Sequence, residues 1–303
     1  MGTQVQNGKA FEWAFASAIS RRMEIPLTNS PEMEFNSSCF KNKITEDLQS
    51  RFSEFSNLMV NHILEKEIAN PVVQQATGIV AIPDKAGKSG DVRDVVIQSS
   101  VGAIGFSCKT NHDAFKHSRL SGQLDFVKKW GLNESGCSSA YWDAVRPLFS
   151  ELATIRKNSN KEAKWQDLDN KAEKFYLPLL SAFENELLRA VELDSKGTCV
   201  ALVRYIVGNN DFYKVVCKIK SIEVQEFNFT GTLNGPSTKY PTKLISIDTD
   251  DGGQYSKTVR LNGGFTFNFR IHNAESRVTP SLKFDVRALA LPPNGIYTHH
   301  ISS

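Results

Sequence analysis

The stretch from Asp94 to Lys109 leaves the chain few ways to fold locally. Val95, Val96 and Ile97 form a continuous apolar run, Ile104 and Phe106 alternate with small residues, and Ser99-Ser100-Val101-Gly102 between them has turn composition. Together these predict a two-stranded hairpin. Thirteen residues separate Asp94 from Ser107 (107 − 94 = 13), and Lys109 lies two further on. In a hairpin that spacing brings the start of the first strand to the end of the second, so a carboxylate and an ammonium share one end of a small sheet.

The elements around the hairpin follow from periodicity. Phe11, Phe15, Ile19 and Met23 recur at four-residue steps and predict a first helix. Residues 26–40 read as a polar connection. Thr45 before Glu46 and Asp47 predicts a capped second helix, with Leu48, Phe52, Phe55, Met59 and Ile63 as its core stripe. Gly78–Ile82 reads as a strand. Two further apolar stripes, on Trp142 to Ile155 and Phe175 to Val191, predict helices between Ser138 and Leu193. Beyond Gly197 the texture becomes strand-like. Cys199–Val207 and Phe212–Ile219 flank Gly208-Asn209-Asn210-Asp211 and read as a hairpin. Further strands are expected at 222–229, 243–247, 258–261, 265–271 and 282–289. Phe265, Phe267 and Phe269 alternate strictly, which assigns them to a core face and Thr266, Asn268 and Arg270 to the other.

The expected class is therefore α/β: a mixed central sheet flanked by helices over residues 1–220, and a C-terminal β-rich subdomain over 221–303. At 303 residues the chain can bury a sizeable core. The charge balance, 36 Lys+Arg against 33 Asp+Glu, neither demands nor excludes nucleic acid, so local clusters decide. From Lys109 to Lys129 inclusive there are five Lys/Arg against two Asp, with His112 and His117 besides. A basic run is most simply a solvated helix face, but adjacency to the hairpin favours function. Phosphate contacts dominate nucleic-acid affinity, and Asn111, His112, Lys116, His117, Ser118 and Arg119 are of the types that make them. The polar side of the 265–271 strand and its continuation add Arg270, His272 and Asn273. The five cysteines include no CxxC pair, which argues against zinc and for reduced thiols in a cytoplasm. The polar start, Met1 to Asn7, lacks a signal-peptide pattern, and no apolar run approaches membrane-spanning length.

The hairpin resembles the nuclease signature PD-(D/E)xK. There the acids hold a divalent cation, and the lysine serves the attacking water or the scissile phosphate. Mg²⁺ wants oxygen ligands, lowers the pKa of bound water and neutralises phosphate charge. Asp94 and Lys109 match the first acid and the lysine. Two departures stand out: no proline precedes Asp94, and Ser107 occupies the (D/E) position. A second carboxylate must come from elsewhere. Glu12, on the first helix, is one source; it reads equally well as a solvated helix acid. Asp91 is another, through water. The literal Pro83-Asp84 pair lies 23 residues from Ser107 (107 − 84 = 23) and fits the spacing less well than Asp94. With these residues the cation ligands are Asp94, the carbonyl of Cys108, and Glu12 or Asp91, while Asp94, Lys109, Glu12 and Ser107 form the catalytic set.

A more specific resemblance rests on Gly8-Lys9-Ala10-Phe11-Glu12, Gly90 to Val96, Ser107 to His112, Lys116 to Ser121, Phe269 to Ala274 and Ser281 to Asp285. These segments resemble the HaeIII family of type II restriction endonucleases. The resemblance implies Mg²⁺-dependent hydrolysis of double-stranded DNA within GGCC, blunt ends, and a cognate DNA methyltransferase in the host. A palindromic site is compatible with a homodimer and with a monomer that nicks each strand in turn. Two alternatives stay open. One is a repair or structure-selective nuclease of the same superfamily, which cutting at one short sequence would exclude. The other is a sequence-specific DNA-binding protein without catalysis, which would bind and never cut.

Overall fold

Phe11, Phe15 and Ile19 become the buried stripe of the first helix, α1 (Thr3–Met23). The computed structural model describes residues 3–83, 91–110, 114–249, 255–292 and 298–302. After α1 come α2 (Pro31–Asn42), α3 (Glu46–Lys66) and the single turn α4 (Pro71–Gln74). Strands β1 (Ala76–Ala81), β2 (Val95–Ser99), β3 (Gly102–Thr110) and β4 (Ala114–Ser121) follow. Then come α5 (Phe126–Lys129), α6 (Ser139–Asn158), α7 (Leu177–Leu193) and α8 (Ser195–Val207). The rest is strand: β5 (Phe212–Cys217), β6 (Ser221–Phe227), β7 (Leu244–Thr249), β8 (Ser256–Leu261), β9 (Thr266–Asn273), β10 (Ser281–Ala290) and β11 (Thr298–Ser302).

The chain divides into two compact units that interleave in sequence: Met1–Asp113 with Gly208–Lys239 and Pro292–Ser303, and Ala114–Val207 with Tyr240–Leu291. The first unit holds a mixed six-stranded sheet ordered β1-β2-β3-β5-β6-β11, so the expected hairpin of β2 and β3 is internal to it. β3 and β5 run parallel; the other neighbours are antiparallel. Helices α1 and α3 cover one face. Phe15 packs on Phe106 at 5.1 Å, Phe11 on Phe52 at 5.4 Å, and Phe106 stacks on Tyr213 at 6.2 Å between ring centroids. Fully burying a phenylalanine contributes about 1.5–3 kcal/mol, so this aromatic seam anchors α1 firmly on the hairpin.

The second unit holds an antiparallel five-stranded sheet ordered β4-β10-β9-β8-β7. On β10, buried Leu282, Phe284 and Val286 alternate with Lys283, Asp285 and Arg287. Phe267 and Phe269 are buried as their alternation predicts. Trp130 and Phe183 pack on this apolar face, with Phe183 4.8 Å from Phe284 and 5.1 Å from Phe269. No helix among the described residues is long and apolar enough to cross a membrane, and the five cysteines are buried and free.

The structure corrects four local expectations. Residues 31–42 are not a connection but helix α2: Ser30 caps it by accepting from the Met33 amide at 3.1 Å, Pro31 takes the first turn, and Glu32 and Glu34 complement the helix dipole. Residues 199–207 are not a strand but helix α8. Cys199, Leu202, Val203 and Ile206 are buried at helical spacing, which outweighs their β-branched composition. There is accordingly no 199–219 hairpin, and β5 pairs instead with β3 and β6. The basic segment after the hairpin is not a helix face at Lys116 and Arg119: residues 114–121 form the edge strand β4, paired with β10, while Lys128 and Lys129 fall in α5. Finally, the expected boundary at residue 220 falls between β5 and β6, which pair in one sheet. The two compact units are divided elsewhere along the chain.

Candidate active site

Asp94 sits immediately before β2, where its amide donates to the Phe106 carbonyl at 2.7 Å and its carbonyl accepts from the Ile82 amide at 2.9 Å. The backbone is thus fixed by both neighbouring strands. One carboxylate oxygen, Oδ2, gathers three groups from the end of β3. It accepts from the Cys108 amide at 2.7 Å, from Lys109 Nζ at 3.0 Å and, more weakly, from Ser107 Oγ at 3.4 Å. Asp94, Ser107 and Lys109 therefore meet at one point. Burial pulls the Lys109 ammonium toward deprotonation, but the charge and hydrogen bond of Asp94 outweigh it and leave the pKa raised. Lys109 is accordingly a positive charge and donor at neutral pH rather than a resting base.

Glu12 lies on the buried face of α1, 6% exposed. Asn36 of α2 donates to its Oε2 at 2.9 Å, and Lys9, one turn earlier, pairs with it at 3.1 Å. Burial, then the negative charge of Asp94, push the Glu12 carboxyl up to about 7 against the partial relief from Lys9. Glu12 and Asp94 are thus two carboxylates that repel each other, each paired with its own lysine, Lys9 and Lys109. The Cys108 thiol is buried and pushed well above its ordinary range, by burial and then by Asp94 and Glu12. What this residue offers a cation is its carbonyl oxygen.

Asp91 is engaged elsewhere. It accepts from Arg93 Nε at 2.8 Å and Nη2 at 2.7 Å, and from the Arg93 amide at 3.1 Å. Burial opposes ionisation, yet these bonds hold its carboxyl below its ordinary range. Arg93 lies flat over Gly105: a Cβ there would stand 1.9 Å from Arg93 Cδ. Gly105→Ala should therefore displace Arg93, break its pair with Asp91 and destabilise the protein by about 1–3 kcal/mol. A urea midpoint equal to wild type would show that the arginine yields freely.

Among the described residues no group of three or more His, Cys, Asp or Glu is placed to hold a metal ion. What the site offers is two carboxylates and a carbonyl, all oxygen donors. Repulsion between the buried Glu12 and the half-buried Asp94 is relieved by a hard divalent cation, and Mg²⁺ commonly takes one or two carboxylates plus substrate phosphate and water. The donor set fits such an ion.

The expected DNA-contacting residues distribute unevenly. Asn111 and His112 lie outside the described residues, as does Asp84. On β4 the strand alternation separates the other four. Ser118 is buried, with its hydroxyl 2.5 Å from the Tyr205 hydroxyl of α8, and Lys116 Nζ lies over the Tyr205 ring at 4.9 Å. Burial and then the Lys129 charge lower the Lys116 pKa. His117 and Arg119 are exposed and share their register face with Lys283 and Asp285 of β10 and with Arg270 and His272 of β9. Asn273 lies in register with Leu282, on the other side, and donates to the Glu275 carbonyl at 2.7 Å. Sequence reasoning missed Asn36, Lys9 and Asp285. The three-residue spacing of Lys9 and Glu12, and the Ser30-Pro31 helix start, were the available signals for the first two.

A mixed sheet with helices on its face and an acid–lysine pair at one end is compatible with the restriction-endonuclease-like fold. The chain matches the family model described as HaeIII restriction endonuclease over residues 8–292. It belongs to that family, and is therefore a site-specific endodeoxyribonuclease of double-stranded DNA. It is 33% identical over 312 residues to the Type II restriction enzyme HaeIII of Haemophilus aegyptius, with 94% of each chain covered. No solved structure matches the chain.

Proposed function

We propose that the protein hydrolyses duplex DNA within GGCC to blunt ends, using Mg²⁺ and an activated water. The supporting observation is the convergence of Lys109 Nζ and the Cys108 amide on Asp94 beside the buried carboxylate of Glu12. The recognition sequence rests on the family resemblance and on the relative's similarity alone. Asp94, Glu12 and the Cys108 carbonyl would hold the cation. Mg²⁺ would supply Lewis-acid stabilisation of phosphate charge and lower the pKa of a coordinated water. Lys109 orients the attacking water and stabilises the developing negative charge on the phosphate. Asn36 and Lys9 hold the Glu12 carboxylate toward Asp94, and Ser107 supports Asp94 rather than standing in for an acid. Asp91, locked to Arg93, supports the strand entry rather than the cation.

We assign catalysis to the first unit and DNA recognition to the polar face of the second unit's sheet, through His117, Arg119, Arg270 and His272. The buried, unpaired cysteines suit a reducing cytoplasm. Plasmid DNA digested with Mg²⁺ should yield discrete fragments whose sequenced ends all fall between GG and CC, and EDTA should abolish the cutting. Fragments ending at a different short motif would overturn the GGCC assignment. Equal cutting in EDTA would overturn the metal.

A further inference from the structure

Three strands of the second sheet bring together a cluster that the active-site chemistry does not use. Asp285 stands on β10 between β4 and β9. Its Oδ1 lies 2.8 Å from His117 Nδ1, and its Oδ2 lies 2.7 Å from His272 Nε2. Each carboxylate oxygen thus takes one imidazole. The second nitrogen of His272, Nδ1, lies 3.0 Å from the Asn273 carbonyl. A carbonyl and a carboxylate are both acceptors, so the surroundings of His272 offer an acceptor to each nitrogen, the arrangement that suits an imidazolium.

The surroundings are cationic. By register, β4 contributes His117 and Arg119 to this face, β10 contributes Lys283 and Arg287 beside Asp285, and β9 contributes Arg270 and His272. On the next strand Arg260 is paired with Asp248 of β7 at 3.6 Å. Among the described residues of β4, β9 and β10, Asp285 is the one carboxylate on the face. Both its oxygens are occupied by imidazoles, and no metal-holding group exists among the described residues. With both imidazoles protonated, the His117–Asp285–His272 unit carries a charge of +1; with both neutral it carries −1.

We propose that the His117–Asp285–His272 unit sets positive charge against a DNA backbone phosphate, and that loss of this charge weakens DNA binding as the pH rises. The proposal rests on the reading that duplex DNA is the substrate. A phosphate interaction of this kind carries no sequence information. The loss of affinity should therefore be the same for any duplex, and removing one phosphate-binding cation should lower the salt slope by about one.

The test is fluorescence anisotropy of the full chain with labelled duplexes in EDTA, which prevents cutting. The duplexes would contain or lack GGCC and be titrated at about pH 6 and pH 8 over a range of salt. Wild type should bind both duplexes roughly tenfold more weakly at the higher pH. The His117→Gln/His272→Gln double variant should bind at both pH values about as wild type does at pH 8, with a salt slope lower by about one to two. If the double variant fails to fold, His117→Gln alone, on the exposed edge strand, should remove about half of the pH dependence. A folded variant with the wild-type pH dependence would overturn the proposal, as would weakening confined to the GGCC duplex, which would mean base reading. A wild-type chain that binds neither duplex at either pH would overturn both the proposal and the DNA reading beneath it.

Discussion

Lys109→Ala is expected to cut duplex DNA about 10²- to 10⁴-fold more slowly than wild type, the range lost when a positioned proton-handling or charge-stabilising side chain is removed. Binding should survive, because the proposed recognition face lies in the other unit. The physical basis is the three-way convergence on Asp94 Oδ2, in which the ammonium at 3.0 Å is the one charged donor. With the ammonium gone, Asp94 keeps the Cys108 amide and Ser107 hydroxyl but loses its counter-charge, so cation affinity should rise slightly even as turnover falls. Single-turnover cleavage and duplex binding, measured on the same preparation, separate the two effects. A variant that cuts at the wild-type rate would remove Lys109 from the chemistry. One that no longer binds DNA would show that its role is in association.

Glu12→Gln is expected to give a more stable protein that cuts poorly. The Glu12 carboxyl is pushed from its ordinary 4.5 up to about 7, first by burial and then by Asp94. The sign follows from proton counting. Below pH 4.5 the group is protonated in both folded and unfolded chains, and its environment carries no penalty. Between 4.5 and 7 the folded chain keeps a proton that the unfolded chain has released, so stability falls as pH rises. Above 7 the charged carboxylate stays buried at full cost. At about 1.4 kcal/mol per pKa unit, that cost is on the order of 3–4 kcal/mol. Glutamine is nearly isosteric, can still accept from Asn36, and carries no charge. Its advantage in metal-free urea unfolding should therefore be small at pH 5 and largest at pH 8. Its cleavage should fall steeply because one of the two carboxylates for the cation is gone. Such a trade of stability for activity is expected where a site holds strain for its function. Equal stability gains at pH 5 and pH 8 would show that Glu12 sits unstrained, and full activity would remove it from the cation site.

What was legible in the sequence lies close together along the chain. Asp94 and Lys109 are joined by one turn, so the apolar run, the turn residues and the count between them already bring their side chains together. The same holds for the stripes of α1, α3 and α7 and for the alternation of Phe265, Phe267 and Phe269, where periodicity alone assigns a buried face. Local signals failed where two patterns overlapped. Residues 199–207 carry β-branched side chains at helical spacing, and burial of the 3.6-residue stripe decided the outcome. The stretch 31–42 is polar enough to read as a connection, although its Ser-Pro start already marked a helix.

The amino-acid order by itself determined the hairpin, its acid and its lysine, because each depends on neighbours within a few residues. Only the tertiary structure brings Glu12 within electrostatic reach of them. Glu12 is 82 residues from Asp94 (94 − 12 = 82), and it is electrostatically coupled to Asp94 because Phe11 and Phe15 bury α1 against Phe52 and Phe106. Asn36 completes that arrangement from a helix whose role no local pattern announces. Likewise His117 and Asp285 are 168 residues apart and meet because β4 joins the five-stranded sheet as its edge strand. Such pairings are set by the burial of whole helix and sheet faces, a property summed over the chain that no short stretch of sequence contains.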